Sequence, residues 1–213
     1  IILIQALLNK HKNLHILITT GTKTSAQLME TKLPDRALHQ YYPLDHPQWV
    51  AQFLDHWRPN FVLWMESELW PDMLMEVKAR GTPAFLVNAR LSPKSYKVWS
   101  MFKGSATRLL AVFEGILCQT AADAQLFEAL GARGVCVTDN LKYDARVLDV
   151  DAGDLATFKE TTSSRPLWVF ASTHAGEEAL AARVHMALKA RLPILSTFYV
   201  PIRNFTPPLQ SSY

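Results

Sequence analysis

Short apolar runs recur along this chain, each followed by a stretch with helical spacing, and that alternation limits the fold more than any other feature. Leu14–Thr20, Phe61–Met65, Ala84–Val87, Gly115–Cys118 and Gly134–Thr138 read as strands. Between them, Val50, Phe53, Leu54 and Trp57 fall at helical intervals. Other helices are expected through Leu28 and Met29, over Pro71–Lys78, Ser95–Phe102 and Ala106–Phe113, and from a Thr120 cap to Leu130, where Gly131 stops it. Asp45 reads as the N-cap of the helix that Pro47 opens. Trp49, Phe53 and Trp57 read as core, as do Leu126, Phe127 and Leu130. Near-continuous apolar strands alternating with helices specify an α/β fold, a parallel sheet with helices on both faces.

Domain organisation follows from a change in composition. Residues 1–143 form a first Rossmann-like domain, and 144–165 read as a polar linker carrying a helix. Residues 166–213 start a second, incomplete domain, with strands at Leu167–Ala171 and Ile194–Val200. The chain opens inside an amphipathic helix at Ile1-Ile2-Leu3-Ile4 and closes on a polar, Pro-rich tail from Asn204 to Tyr213, so both ends read as cut.

The bulk numbers exclude some classes. Net charge is +3 over 213 residues, with Lys and Arg dispersed. That suits an anionic surface but carries no nucleic-acid signature. No apolar run nears the 18 or so residues a membrane span needs. Cys118 and Cys136 lack metal-ligand spacing and read as buried free thiols.

The densest chemistry is Trp64-Met65-Glu66-Ser67-Glu68-Leu69-Trp70-Pro71. A strand delivers two carboxylates at its carboxyl end, where open α/β sheets bind ligands. Burying acids beside Trp is costly without a partner, so the segment reads as a site. If the strand continues, Glu66 and Glu68 share a face. The plainer alternative pairs both acids with surface Lys, or uses them to complement the Pro71 helix. Thr20, Thr22 and Ser25 could meet a polyhydroxyl or anionic ligand at a helix start, or simply cap it. Arg90 could bind a phosphate bidentately or pair with Glu66 or Glu68. Lys142 sits in a loop with Asn140 and Tyr143. Around the second-domain helix start, Ser172 or Thr173 can cap, Glu177 and Glu178 complement the dipole, and His174 reads as a cleft or hinge residue.

Five segments in order carry a family resemblance. They are Ile18–Ser25, Met65–Pro71, Asn88-Ala89-Arg90-Leu91-Ser92, Asn140-Leu141-Lys142-Tyr143-Asp144 and Ala171–Glu178. Together they resemble 3-deoxy-D-manno-octulosonic acid (Kdo) transferases. The resemblance implies a GT-B glycosyltransferase with two Rossmann-like domains. Its reaction moves Kdo from CMP-Kdo to the lipid A precursor lipid IVA in lipopolysaccharide biosynthesis, with inversion and without a metal ion or cofactor. It implies a site at the cytoplasmic face of the inner membrane, with Glu66 and Lys142 stabilising the transition state. It also implies substrate-binding parts for Thr20, Thr22, Ser25, Glu68, Arg90, Ser172 and His174. The family's general base and membrane anchor would lie upstream of Ile1, so the chain alone is expected to be inactive. Two departures stand out: Asp139 replaces a usual Gly, and Pro201-Ile202-Arg203-Asn204 replaces Pro-Arg-His-Pro, as in a fragment whose end has diverged through a frame shift. The alternatives are another GT-B enzyme, such as a lipid A disaccharide synthase or sugar-nucleotide epimerase, and a non-catalytic lipid-binding remnant. Oligomeric state is left open.

Overall fold

The computed structural model describes residues 1–144, 150–162, 166–173, 176–191 and 196–201. The chain divides into two compact units, Ile1–Arg146 and Val147–Tyr213.

In the first unit α1 (Ile2–Lys10) leads to β1 (Ile16–Thr20), α2 (Lys23–Lys32) and β2 (Ala37–Tyr41). Then come α3 (Pro47–Trp57), β3 (Val62–Met65), α4 (Pro71–Ala79), β4 (Ala84–Ala89), α5 (Pro93–Met101) and α6 (Lys103–Leu110). β5 (Gly115–Cys118), α7 (Ala121–Ala129), β6 (Val135–Val137) and a 3-10 turn over Leu141–Asp144 complete it. All strand pairs are parallel. Where one sheet is expected, β1 and β2 form a pair of their own, and β3-β4-β5-β6 form a second sheet in chain order.

The core lies around the four-stranded sheet. β4 is buried nearly throughout, with Ala84 and Leu86 on one face and Val87 on the other. Both faces of this strand are therefore covered, as a parallel sheet requires. Val50 and Leu54 of α3, Leu74 and Val77 of α4, Leu109 and Leu110 of α6, and Phe127 of α7 supply the cover. Each large buried side chain contributes about 1.5–3 kcal/mol of hydrophobic stabilisation. Trp49 departs from its expected place in this core: it is 46% exposed, its ring against His46 instead.

Local signals explain the ends of the elements. Thr120 accepts the Asp123 N–H and caps α7. Gly134 turns into β6 with φ +62°, and a Cβ there would lie 2.6 Å from the Glu114 carbonyl oxygen, so only glycine fits. Asp45 does not cap α3, whose N-cap is His46 with no side-chain bond. Its carboxylate instead accepts the Asp72 and Met73 N–H groups at 3.1 and 2.8 Å, capping α4. Two of the free donors at the start of the Pro71 helix are thus met from a residue 27 and 28 positions earlier in the chain.

In the second unit α8 (Ala152–Thr162) precedes β7 (Leu167–Thr173), α9 (Glu178–Lys189) and β8 (Ser196–Pro201), with β7 parallel to β8. Ser172 and Thr173 belong to β7 rather than to a helix cap. Glu177 occupies the N-cap position of α9, and Glu178 accepts the Gly176 N–H.

Candidate functional site

The carboxyl ends of β3, β4 and β6 carry three non-glycine residues in the left-handed region: Glu66 (φ 59°), Asn88 (φ 57°) and Asp139 (φ 61°). Such backbone costs of order 1–2 kcal/mol per residue outside glycine, less for Asn and Asp. Strain of this kind concentrates at functional sites.

Glu66 begins the turn after β3, and its N–H still continues the ladder to Val87 O at 2.9 Å. The strand stops at Met65, so the alternation that would place Glu66 and Glu68 on one face does not apply. Both acids are exposed rather than buried beside Trp. The Glu68 carbonyl closes this turn by accepting the Trp64 indole N–H at 2.6 Å. α4 takes its cap from Asp45, and no bond joins the Glu68 carboxylate to that helix.

The following loop is tied down by side chains. Ser67 Oγ donates to the Arg90 carbonyl and accepts the Arg90 N–H at 3.1 Å, joining the exits of β3 and β4. Asp123 accepts the Leu91 N–H at 2.8 Å, fixing the next residue. The Arg90 guanidinium forms no ion pair with either glutamate among the described residues, and it is exposed.

Lys142 is drawn across the sheet to this edge. β6 and β3 are the outer strands, three strand spacings or roughly 14 Å apart. The segment leaving β6 runs back along the carboxyl edge. Leu141 N–H donates to Asn88 Oδ1 at 3.1 Å, and Lys142 N–H to Asn140 Oδ1 at 3.0 Å. Lys142 Nζ then lies 3.5 Å from Glu66 Oε1. Their side chains are 74% and 53% exposed. An ion pair so open to water is worth about 0.2–1 kcal/mol. The pair therefore adds little to stability, and what the fold achieves is to hold opposite charges side by side at a solvent-exposed edge of the sheet.

Of the other expected residues, Thr22 and Ser25 satisfy each other at the start of α2: Thr22 accepts the Ser25 N–H and donates to Ser25 Oγ. Thr20 Oγ1 pairs with His39 Nε2 at 2.8 Å. Ser172 lies in β7, and His174 falls outside the described residues. Cys118 is buried, and burial pushes its thiol up to about 12, Asp123 adding to the effect, so it is no nucleophile at neutral pH. Cys136 is exposed on outer strand β6, not buried as expected.

Several positioning residues carry no role in the sequence reading. The Tyr42 ring packs against Trp70 at 5.1 Å, tilted by 50°, and a Cβ on Gly21 would lie 2.2 Å from its hydroxyl, so the glycine lets this ring tie the β1 exit to the α4 start. Ser67 and Asp123 act in the same way, as does Gln119, whose side-chain amide donates to the Asn88 carbonyl at 3.0 Å. The Thr120-x-x-Asp123 capping pattern is the one legible signal among them.

The same fold occurs in Staphylococcus aureus MnaA solved with UDP, to which the chain is similar with a TM-score of 0.53 at 15% identity, over 95% of this chain and 59% of that one. This likeness shows the fold alone, an α/β architecture of the GT-B type. A family model for 3-deoxy-D-manno-octulosonic-acid transferase (kdotransferase) matches residues 1–145, and the chain belongs to that family of glycosyltransferases. It is similar to the 3-deoxy-D-manno-octulosonic acid transferase of Rickettsia felis, 34% identical over 187 residues, 88% of this chain and 40% of that protein. The Rickettsia typhi transferase is 36% identical over 83% of this chain and 38% of its own length. The chain thus spans less than half the length of these relatives.

Proposed function

We propose that this chain contributes the acceptor side and part of the donor side of a glycosyltransferase that moves Kdo from CMP-Kdo to lipid IVA, in lipopolysaccharide biosynthesis at the cytoplasmic face of the inner membrane. The observation that carries the reading is the meeting of Glu66 and Lys142 at the carboxyl edge of the sheet. In the reaction a sugar hydroxyl of the acceptor gives up its proton to a general base, which the resemblance assigns to none of these residues, and attacks the anomeric carbon of CMP-Kdo. The bond from that carbon to the phosphate oxygen breaks, and CMP leaves with the electron pair. Positive charge grows on the sugar ring and negative charge on the leaving phosphate. A carboxylate and an ammonium fixed beforehand beside each other oppose both charges without reorganising. Their own attraction is weak, so a substrate entering between them displaces little. The proposal keeps the inverting, metal-independent course that the resemblance implies, and it holds that the 213 residues do not transfer Kdo unaided.

Acceptor delivery from a membrane surface has support in α5 and α6. Lys94, Lys97, Val98 and Met101 fall at helical spacing on one stripe of α5. Val98, Met101 and Phe102 are 50%, 67% and 63% exposed. No Asp or Glu occurs between Glu76 and Glu114, while Lys78, Arg80, Arg90, Lys94, Lys97, Lys103 and Arg108 do. Apolar residues among cations suit an anionic lipid interface. Among the described residues no helix is long and apolar enough to cross a membrane.

The test is a chimera in which the 187 residues of this chain that match the Rickettsia felis transferase replace their counterparts in it. Transfer of Kdo from CMP-Kdo to lipid IVA is expected. A folded chimera without transfer, in an assay where the parent is active, overturns the proposal.

A further inference from the structure

We infer that Asn88 is a positioning residue that places Lys142 against Glu66, acting through a bulge in β4. The inference rests on reading Lys142 as a site residue. The pairing of β4 with β5 shifts register between Leu86 and Ala89, which is where Asn88 adopts φ 57°. Bulges of this kind re-aim side chains next to active sites. Here the Asn88 carbonyl is taken by Gln119 Nε2 at 3.0 Å, while the next carbonyl, that of Ala89, accepts the Gln119 backbone N–H at 2.9 Å. Gln119 thus grips both sides of the bulge.

The turned residue is 3% exposed, more deeply buried than Asp123, the other buried polar residue among the described residues of the first unit. Its Oδ1 reaches up to accept the Leu141 N–H. That bond ties the segment crossing from β6 to the middle of the sheet, one residue before Lys142. Among the described residues the other hydrogen bonds to Lys142 and Tyr143 come from Asn140, on the same segment, and do not tie it to the sheet. Asparagine meets both demands of the position, since it tolerates the left-handed region and carries an acceptor at the required reach. Glycine would keep the backbone and lose the acceptor.

The juxtaposition can be read in the full 213-residue chain without any transferase activity. A zero-length carbodiimide joins a carboxylate to an amine only when they touch, and mass spectrometry then identifies a Glu66–Lys142 amide. We expect this crosslink in the wild-type chain and in Asn88→Asp, which retains an acceptor oxygen. In Asn88→Gly its yield should fall about fivefold, the population change set by one hydrogen bond, in a chain that remains folded. An unchanged yield in folded Asn88→Gly overturns the inference. Hydrogen exchange of the wild-type chain gives a check that needs no variant: the Leu141 amide should be protected, and an unprotected one overturns it. Kdo transfer by the chimera tests the functional reading separately, so either can fail alone.

Discussion

Replacing Glu66 with asparagine should make the chain more stable while harming the site. Glu66 holds φ 59°, which costs a residue of its kind about 1–2 kcal/mol. Against this its carboxylate makes one ion pair, at 3.5 Å to Lys142, with both partners more than half exposed. Such a pair returns about 0.2–1 kcal/mol. Asparagine enters the left-handed region far more readily and gives up the pair. The balance is a gain of about 0.5–1 kcal/mol, or roughly 0.2 M in the guanidinium midpoint at a slope typical of small domains. Tryptophan fluorescence is a suitable probe, because Trp49, Trp57, Trp64, Trp70 and Trp99 all lie in the first unit. A cycle with Lys142→Ala should give a coupling below about 1 kcal/mol. A loss of more than about 0.5 kcal/mol in Glu66→Asn, beyond what the pair returns at its weakest, would refute the reasoning, because the carboxylate would then be holding the fold together.

Asp139→Gly should also stabilise, by up to about 1 kcal/mol, since φ is 61° there and glycine adopts it freely; an unchanged or lower denaturation midpoint would count against it. Iodoacetamide at pH 8 should label Cys136 and spare Cys118 in the folded chain, read by peptide mass spectrometry. The Cys118 thiol rises from 9.0 to about 12 on folding, so its contribution to stability is complete below pH 9 and is lost as pH climbs from there toward 12; denaturation midpoints that rise over that interval would contradict the sign. Reversing charge with Lys94→Glu and Lys97→Glu should weaken co-sedimentation with vesicles rich in anionic lipid, by about 1 kcal/mol per residue at low salt, and leave the denaturation midpoint in place.

The α/β alternation was legible because buried parallel strands need apolar runs, and the runs at 115–118 and 84–87 mark β5 and most of β4. β2 was not, because Ala-Leu-His-Gln-Tyr buries only Ala37 and offers no such run. Asp45 misled for a related reason. Its neighbour Pro47 suggested a local cap, whereas its carboxylate answers N–H groups that only the tertiary fold brings near. The site divides along the same line. That Glu66 and Lys142 both follow strands could be read from pattern. Their contact could not, because they are 76 residues apart in sequence and the loop joining them depends on a bulge at Asn88. Thr22 and Ser25 matched the plainer of their two readings, since a hydroxyl cluster at a helix start meets its own backbone first.

The role proposed for Glu66 is to act on charge that develops during transfer, not on the fold. Its most direct test is the turnover of the Rickettsia felis chimera carrying Glu66→Gln, with CMP-Kdo and lipid IVA at saturation. The expected kcat is lower by about a hundredfold or more, as when one preorganised electrostatic group is removed, with KM and thermal stability nearly unchanged. A Gln variant that turns over at the rate of its parent would contradict it.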